Sequence, residues 1–568
     1  MDKFMGFARA SLLAVLVFGW SASGQAQSAT PPPAKSFDHA AIASAHPLAT
    51  DAGLLMLQKG GNAFDAAIAV SAVLSVVEPA SSGVGGGGFI LLHQQKTGKD
   101  VFLDARETAP SSATAAMYRT ATGGVDERGS KVGPRAAAIP GQPALWAYVA
   151  KHYGKLPLTV SMAPAIEIAN NGFPLYPRLQ NAIRVKANDL RANPDAARVF
   201  LVNGDVPAVG TLIRQPELAQ TLRLIATTQA VGFYHGPFVK RLVSAVRQDG
   251  GLWSEEDFAR YAVKERAPIK FTYQGATVVS APPPSSGGLV LADTLGILAG
   301  YPFKQLSPID RMHLMVEALK RSYRDRADYM GDPDFVKVPT ALLMSADYHA
   351  GLRASIRLDR ATDSQVLAPV TASPESPSTT HFSILDANGN RVASTQSVNL
   401  FFGATYIAPG MGFFLNDTMD DFSVAPLVPN AFGLVGGTAN AIAPGKRALS
   451  SMTPTFVETP DGALIIGSPG GSTIITNVLY GVLGWLDGLD AKTIVTRARI
   501  HHQYLPDVIT YEQGAFTADE VKALEARGQH LKQAEQGWGN TQVITVDYHT
   551  HHVEAASDPR GFGAGRVY

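Results

Sequence analysis

Residues 379–398 read TTHFSILDANGNRVASTQSV, and this stretch has the pattern of a β-hairpin. The runs 380–386 and 391–398 predict two strands, and Asn388-Gly389 between them predicts a hairpin turn because both residues tolerate positive φ. The preceding segment 361–378 (ATDSQVLAPVTASPESPS) lacks periodicity and carries Pro and Ser, which predicts an exposed, mobile segment. The composition therefore changes at Thr379, the residue that opens the hairpin.

Helical and strand patterns alternate along the rest of the chain. An Ala-rich run at 62–76 predicts a buried helix, and 88–93 predicts a strand. Residues 463–467 predict a short buried strand that Ser468-Pro469-Gly470-Gly471-Ser472 interrupts, with an apolar helix from about 473 to 486. Residues 308–330 predict an amphipathic helix, and its Lys320, Arg321, Arg324 and Arg326 are expected on a solvated face.

Composition excludes several classes of protein. The 568 residues include 48 basic and 48 acidic ones, which gives neither a basic face for nucleic acid nor an acidic tail. There is no cysteine, so the chain has no disulfide, no thiolate nucleophile and no cysteine metal site. Lys3 and Arg9 flank the short apolar run Ala10–Trp20, and small residues follow. This predicts a signal peptide over 1–26, export to the periplasm, and no membrane attachment once the peptide is removed.

Many short motifs, in one order, resemble the γ-glutamyltransferases, also called γ-glutamyltranspeptidases or glutathione hydrolases, of the N-terminal-nucleophile hydrolase superfamily. The similarity covers nearly all of the predicted mature chain. Besides 379–383 (TTHFS), the motifs are Gly60-Gly61-Asn62-Ala63, Glu78-Pro79, Gly85 to Phe89, Asp104-Ala105-Arg106-Glu107, Gly331-Asp332-Pro333-Asp334-Phe335, Asn416, Met419-Asp420-Asp421-Phe422, Ser450-Ser451-Met452, Gly467 to Ser472 and Ser557-Asp558-Pro559-Arg560.

The resemblance implies an α+β fold, the four-layer αββα sandwich with two central antiparallel sheets. It also implies that the chain cuts itself between Ser378 and Thr379. The products would be a large subunit, 27–378, and a small subunit, 379–568, that remain together as a heterodimer. No metal or organic cofactor is implied.

The chemistry of threonine explains why the cut is needed. A hydroxyl is a poor nucleophile without a base. A free α-amino group has a pKa of about 7.7–8.0, well suited to accept a proton near neutral pH. Thr379 gains such an amine only when the peptide bond before it is broken.

The resemblance assigns roles to further residues. Ser397 supports the nucleophile, and Gly470 and Gly471 form the oxyanion hole. Three residues are matched to binding of the donor's α-carboxylate: Arg106, Ser450 and Ser451. Two are matched to its α-ammonium: Asp421 and Asn399.

Two positions depart from the family pattern. Thr418 stands where the family usually has Gln or Glu that binds the ammonium, so that contact is weakened or lost. Phe432 stands where the tip of a lid loop, about 421–437, is commonly Tyr, so the lid loses a hydroxyl. Both changes bear on substrate preference and leave the nucleophile untouched.

The predicted reaction is attack by Thr379 on γ-glutamyl amides such as glutathione or glutamine. The γ-glutamyl ester then passes to water or to the amine of an amino acid or peptide. Two alternatives stay open. One is a related acylase for glutaryl-type or other acyl groups, which Thr418 favours and the retained Asp421 and Asn399 disfavour. The other is an inactive, uncut protein that binds glutathione-like peptides.

Overall fold

The protein is described by a computed structural model. It describes residues 37–122, 124–126, 128–367, 378–423, 430–431 and 434–568. The predicted signal peptide and Phe432 lie outside the described residues.

Two antiparallel sheets form the centre of the fold. The first has seven strands in the order Ala564–Val567, Ala41–Ser44, Thr380–Leu385, Arg391–Ser397, Gly87–Gln94, Lys99–Ala105 and Lys264–Arg266. The second has six strands in the order Val553–Ser557, Gln542–Asp547, Gly462–Gly467, Thr455–Glu458, Ala276–Ser280 and Ile269–Tyr273. Short strands lie outside these sheets at Phe173–Pro174, Leu212–Ile213, Ile500–His501, Ile509–Tyr511 and Leu531–Gln533.

The two sheets pack face to face through alternate residues of each strand. In the strand Gly87–Gln94, Phe89 and Leu91 face the second sheet, whereas Ile90 and Leu92 face helices. The second sheet repeats this period of two, with Ile465 directed inward between the sheets. Both faces of each sheet are therefore covered, one by the other sheet and one by helices.

Helices cover both outer faces. Those packed on the first sheet and around it are Pro47–Gln58, Ala63–Val77, Gln142–His152, Leu158–Ser161, Ala163–Asn171, Pro177–Val185, Ala187–Ala192, Pro194–Phe200, Pro216–Thr228, Val231–Tyr234, Pro237–Gln248 and Glu255–Arg260. Those on the side of the second sheet are Gly287–Leu298, Pro308–Tyr329, Thr340–Leu343, Ala346–Ala354, Ser364–Leu367, Thr473–Leu486, Ala491–Thr496 and Ala518–Ala526. Single 3₁₀ turns occur at Pro134–Ala136, Phe303–Gln305, Thr418–Asp421 and Thr438–Asn440. The layers run helix, sheet, sheet, helix, which confirms the predicted α+β sandwich.

The hairpin after Thr379 forms, but its turn differs from the prediction. A five-residue loop, 386–390, joins the strands, and only Gly389 of the Asn-Gly pair has positive φ, at 84°. The Asp386 carboxylate accepts hydrogen bonds from the backbone N–H groups of Asn388 and Asn390, each at 3.0 Å. A side chain thus organises the turn, as Asp does in Asx-turns.

Two further expectations were wrong in part. Within the segment expected to be exposed and mobile, Val366 is 80% exposed as predicted, but Ser364–Leu367 is helical and Ser378 is buried; residues 368–377 lie outside the described ranges. On the helix Pro308–Tyr329, Lys320, Arg321 and Arg326 are buried instead of solvated. The helix lies beneath other segments, and Lys320 Nζ reaches Asp507 Oδ1 at 2.9 Å.

None of the helices within the described ranges combines the length and apolar character that crossing a membrane requires.

Candidate active site

Thr379 lies at the entrance to the central strand Thr380–Leu385 and is 5% exposed. Its Oγ1 is 3.1 Å from Oγ of Ser397, the last residue of the neighbouring strand. Ser397 Oγ also accepts a hydrogen bond from the Asn399 backbone N–H at 2.8 Å. The hairpin register therefore places the Ser397 hydroxyl beside that of Thr379, and the Asn399 N–H orients the Ser397 hydroxyl.

The backbone at Thr379 is strained. Its φ is 150°, a value that residues with a Cβ, and β-branched ones above all, rarely adopt. The preceding residue, Ser378, is buried, and its hydroxyl donates to the Asn399 carbonyl. Strain of this kind costs on the order of 1–3 kcal/mol and is characteristic of functional sites. Here it lies next to the peptide bond that the sequence predicts to break.

Arg106 and Asp421 form a buried ion pair. Arg106 follows the strand Lys99–Ala105, is 1% exposed, and donates from Nη2 to Asp421 Oδ2 and from Nε to the Ala448 carbonyl at 3.3 Å. A second carboxylate, Glu107 Oε2, lies 3.5 Å from Arg106 Nη1. Burial raises the pKa of Asp421 to about 6, although the Arg106 charge opposes that shift.

Two adjacent serine hydroxyls point towards the same place. Ser450 Oγ accepts from the Met452 N–H at 3.1 Å, and Ser451 Oγ accepts from Arg326 Nη2 at 3.2 Å. Within the described ranges neither hydroxyl donates to a protein group. Both hydroxyl hydrogens thus remain available for an acceptor, as a bound carboxylate requires.

Gly470 and Gly471 lie between the strand Gly462–Gly467 and the helix Thr473–Leu486. Their φ values are 131° and 58°, and a Cβ at Gly470 would stand 2.4 Å from Thr473 Oγ1. Neither N–H group donates to a protein group in the part of the chain that the structure describes. Two unpartnered N–H groups at the start of a helix can stabilise developing negative charge.

These groups surround a small cavity of about 20 Å³. It is lined by eight of the predicted residues, Thr379, Ser397, Asn399, Arg106, Asp421, Ser450, Ser451 and Gly471, and by Arg326, Leu434, Leu449, Met452 and Ile474. Such a volume accommodates about one water molecule. The uncut chain therefore has the polar groups of a binding site together but no room for an amino acid.

Some predicted residues lie elsewhere or are engaged. Gly470 precedes Gly471 in the chain but does not itself line the cavity. Thr418 is fully buried outside the cavity, where its Oγ1 donates to Glu107 Oε1 at 3.0 Å. Asn399 uses its Nδ2 on the Asp417 carbonyl at 3.1 Å, and its Oδ1 accepts no hydrogen bond from any described residue.

Arg326 is the charged residue that sequence reasoning missed. It was assigned to a solvated face, yet it lines the cavity and is 5% exposed. The available sequence signal was its position at the end of a helix, five residues before the Gly331-Asp332 motif.

Comparisons with known proteins find a matching family model and related sequences. The sequence model of the family described as Gamma-glutamyltranspeptidase matches residues 49–568. The glutathione hydrolase proenzyme of Escherichia coli (strain K12) is 39% identical over 526 residues, covering 91% of this chain and 90% of that protein. That of Pseudomonas sp. (strain A14) is 41% identical over 496 residues, with 86% of each covered.

Among solved structures, cephalosporin acylase from Bacillus halodurans superimposes with a TM-score of 0.82 at 29% identity, covering 95% of this chain and 98% of that one. The family match spans nearly the whole chain, and the relatives match it over most of their length. This chain is therefore an enzyme of the γ-glutamyltranspeptidase family.

Proposed function

We propose that the protein is a self-cleaving γ-glutamyltransferase and glutathione hydrolase with Thr379 as its nucleophile. The observation that carries this proposal is the cavity itself. One strained threonine hydroxyl, a hydrogen-bonded serine, an Arg–Asp pair and two serine hydroxyls meet there. The proenzyme names of the relatives support the expectation of cleavage.

The first reaction is the cut between Ser378 and Thr379. Thr379 Oγ1 attacks the Ser378 carbonyl carbon, and the peptide nitrogen leaves as the α-amine, so an ester replaces the amide. Water then hydrolyses the ester and yields the subunits 27–378 and 379–568. Relief of the positive φ at Thr379 favours this step, because strain in the uncut chain is lost when the bond breaks.

Donor binding follows the cut. The new Ser378 carboxyl end is free to leave the Asn399 carbonyl, which makes room next to Thr379. The donor's α-carboxylate binds the Arg106 guanidinium and the hydroxyls of Ser450 and Ser451. Its α-ammonium binds the Asp421 carboxylate and Asn399 Oδ1. The bound donor thus replaces the internal Arg106–Asp421 ion pair with two ion pairs of its own, one from its α-carboxylate to Arg106 and one from its α-ammonium to Asp421.

Acyl transfer uses the same hydroxyl. The free α-amine of Thr379 accepts the proton of Oγ1, which attacks the γ-carbonyl carbon of glutathione or glutamine. The N–H groups of Gly470 and Gly471 stabilise the oxyanion, the amine product leaves with a proton, and a γ-glutamyl ester forms. Water, or the amine of an amino acid or peptide, then takes the acyl group.

We also propose that residues 1–26 direct export and that the mature heterodimer acts in the periplasm. The charged start, the apolar run Ala10–Trp20 and the small residues after it support this proposal.

N-terminal sequencing of the purified, active protein tests the proposal directly. The small subunit should begin Thr-Thr-His-Phe-Ser, and the large subunit should begin after residue 26. An active enzyme consisting of one unbroken chain would refute the mechanism.

A glutaryl acylase is the second candidate function. The likeness to cephalosporin acylase and the position of Thr418 outside the cavity favour it. Asp421 argues against it, because a glutaryl group brings no positive charge to that carboxylate. Rates on γ-glutamyl and glutaryl 4-nitroanilides decide between the two, and a higher kcat/KM on the glutaryl compound would support the acylase.

A further inference from the structure

Arg326 has the features of a residue that serves the cavity. It lies near the C-terminal end of the helix Pro308–Tyr329 and lines the cavity beside Thr379. Its burial is almost complete, at 5% exposure. Burial lowers the pKa of Arg326 to about 10, which leaves the guanidinium charged at neutral pH.

No carboxylate of the described residues lies within ion-pair distance of this guanidinium. Its helix neighbours differ, since Arg321 pairs with Glu317 at 2.9 Å and Arg324 pairs with Asp325. Buried charges in proteins are normally paired, because an isolated one loses its hydration without compensation. Arg326 therefore lies beside the cavity with a charge that a bound anion would neutralise.

The hydrogen bonds of Arg326 lead to both serines of the carboxylate site. Its Nη2 donates to Ser451 Oγ, and its Nε donates to Ser286 Oγ at 2.9 Å. Ser286 Oγ in turn donates to the Ser450 carbonyl at 2.9 Å. The Arg326 side chain thus holds the Ser451 hydroxyl oxygen as a hydrogen-bond acceptor. Through Ser286 it also helps to position the backbone of Ser450.

Arg106 alone offers a weaker field to an incoming anion. Asp421 contacts its guanidinium directly, and Glu107 lies 3.5 Å away, so two carboxylates offset its charge. Arg326 forms no direct ion pair within the described ranges, although the charge of the nearby Asp421 carboxylate partly opposes the fall in its pKa.

We propose that Arg326 is a positioning residue of the donor carboxylate site: it orients the Ser451 hydroxyl towards the cavity and supplies a positive charge, held in no direct ion pair, that favours an α-carboxylate. This inference rests on the proposed function and adds a residue to the set that the family resemblance assigns.

The test compares two donors that differ only in the α-carboxylate, γ-glutamyl 4-nitroanilide and 4-aminobutyryl 4-nitroanilide. In Arg326→Met, kcat/KM for the γ-glutamyl donor should fall about 10- to 100-fold, mostly through KM, as expected for losing a charge-assisted interaction. The 4-aminobutyryl donor should change less than about threefold, because it has no carboxylate to lose. An equal fall on both donors, or none on either, would overturn the inference.

Arg326→Lys and Arg311→Met are the matched variants. Lys keeps the charge but not the planar fork of donors, so Arg326→Lys should recover part of the γ-glutamyl kcat/KM and leave the 4-aminobutyryl kcat/KM nearly unchanged. This variant also keeps the test decisive if Arg326→Met does not fold, since a selective rise in KM would support the inference and unchanged KM would overturn it. Arg311 is on the same helix in a partly exposed pair with Asp487, and Arg311→Met should leave both donors unaffected.

A double-mutant cycle isolates the route through Ser451. If Arg326 acts by orienting that hydroxyl, the double variant Arg326→Met/Ser451→Ala should lose less than the product of the two single losses. Multiplicative losses would overturn the positioning role. A wild-type enzyme that cleaves neither donor would instead refute the proposed function, which separates the two failures.

Discussion

Replacing Ser397 by alanine tests whether the hydroxyl beside Thr379 takes part in the chemistry. Ser397 Oγ lies 3.1 Å from Thr379 Oγ1 and is oriented by the Asn399 N–H. The substitution removes the contact to the Thr379 hydroxyl and leaves the buried Asn399 N–H without its acceptor. It changes no charge and removes only one oxygen atom.

The size of the effect follows from these two contacts. A hydrogen bond between neutral groups contributes about 0.5–1.5 kcal/mol, so its loss should slow self-cleavage and turnover roughly 2- to 13-fold. The Asn399 N–H, left buried without an acceptor, should separately lower the free energy of unfolding by about 1–3 kcal/mol. Rate and stability are thus expected to fall for different reasons.

The assay follows the two reactions proposed for Thr379, self-cleavage and turnover. Conversion of the uncut chain into two fragments is timed on denaturing gels, and release of 4-nitroaniline from the γ-glutamyl donor gives kcat and KM. Ser397→Thr restores a hydroxyl and should recover both rates. Ser394→Ala is the control, since Ser394 is on the opposite face of the same strand and donates to the Phe89 carbonyl at 3.2 Å.

The reasoning fails if Ser397→Ala cleaves itself and turns over at the wild-type rate while its stability falls. The hydroxyl would then serve only the fold. It fails equally if Ser394→Ala slows both reactions as much, since the effect would not depend on proximity to Thr379.

Thr379→Ala should yield a single uncut chain without γ-glutamyl activity; two fragments on a denaturing gel would place the cleavage chemistry elsewhere. Because burial raises the pKa of Asp421 to about 6, protonation below that pH removes the charge that we propose binds the donor's ammonium. Below pH 6, kcat/KM should therefore decrease more steeply for a γ-glutamyl donor than for a glutaryl donor, by about an additional tenfold for each pH unit. Parallel pH profiles for the two donors would contradict this. Gly470→Ala should abolish turnover, since the new Cβ meets Thr473 Oγ1 at 2.4 Å; wild-type kcat would exclude a role for this turn. Thr418→Val removes the hydroxyl that donates to Glu107 and should lower the free energy of unfolding by about 1–3 kcal/mol, measured by denaturant titration; unchanged stability would show that Glu107 does not need it.

Local pattern was enough to locate the main elements. The predicted helix 62–76 is observed at Ala63–Val77, the helix 473–486 at Thr473–Leu486, and the hairpin strands at Thr380–Leu385 and Arg391–Ser397. Their apolar spacing and turn residues are properties of adjacent positions. The turn at 386–390 differed because the carboxylate of Asp386 stabilises a longer loop than Asn-Gly alone predicts.

Charge on a helix was the pattern most easily misread. Lys320, Arg321 and Arg326 recur like residues of a solvated face, but tertiary contacts bury all three. A sequence shows that a residue is charged; it does not show whether water, a carboxylate or a cavity will receive that charge.

The sequence by itself determined the family of this protein and the chemistry proposed for it, because the threonine after 378, the glycine pair at 470–471 and the polar motifs are fixed by residue identity and local order. Only the tertiary structure decided which of these groups meet. Arg106 and Asp421 are 315 positions apart and touch, whereas Thr418, three positions from Asp421, points away to Glu107. Packing two sheets face to face joins strand ends that are distant in the chain, and no periodicity within one segment encodes that juxtaposition.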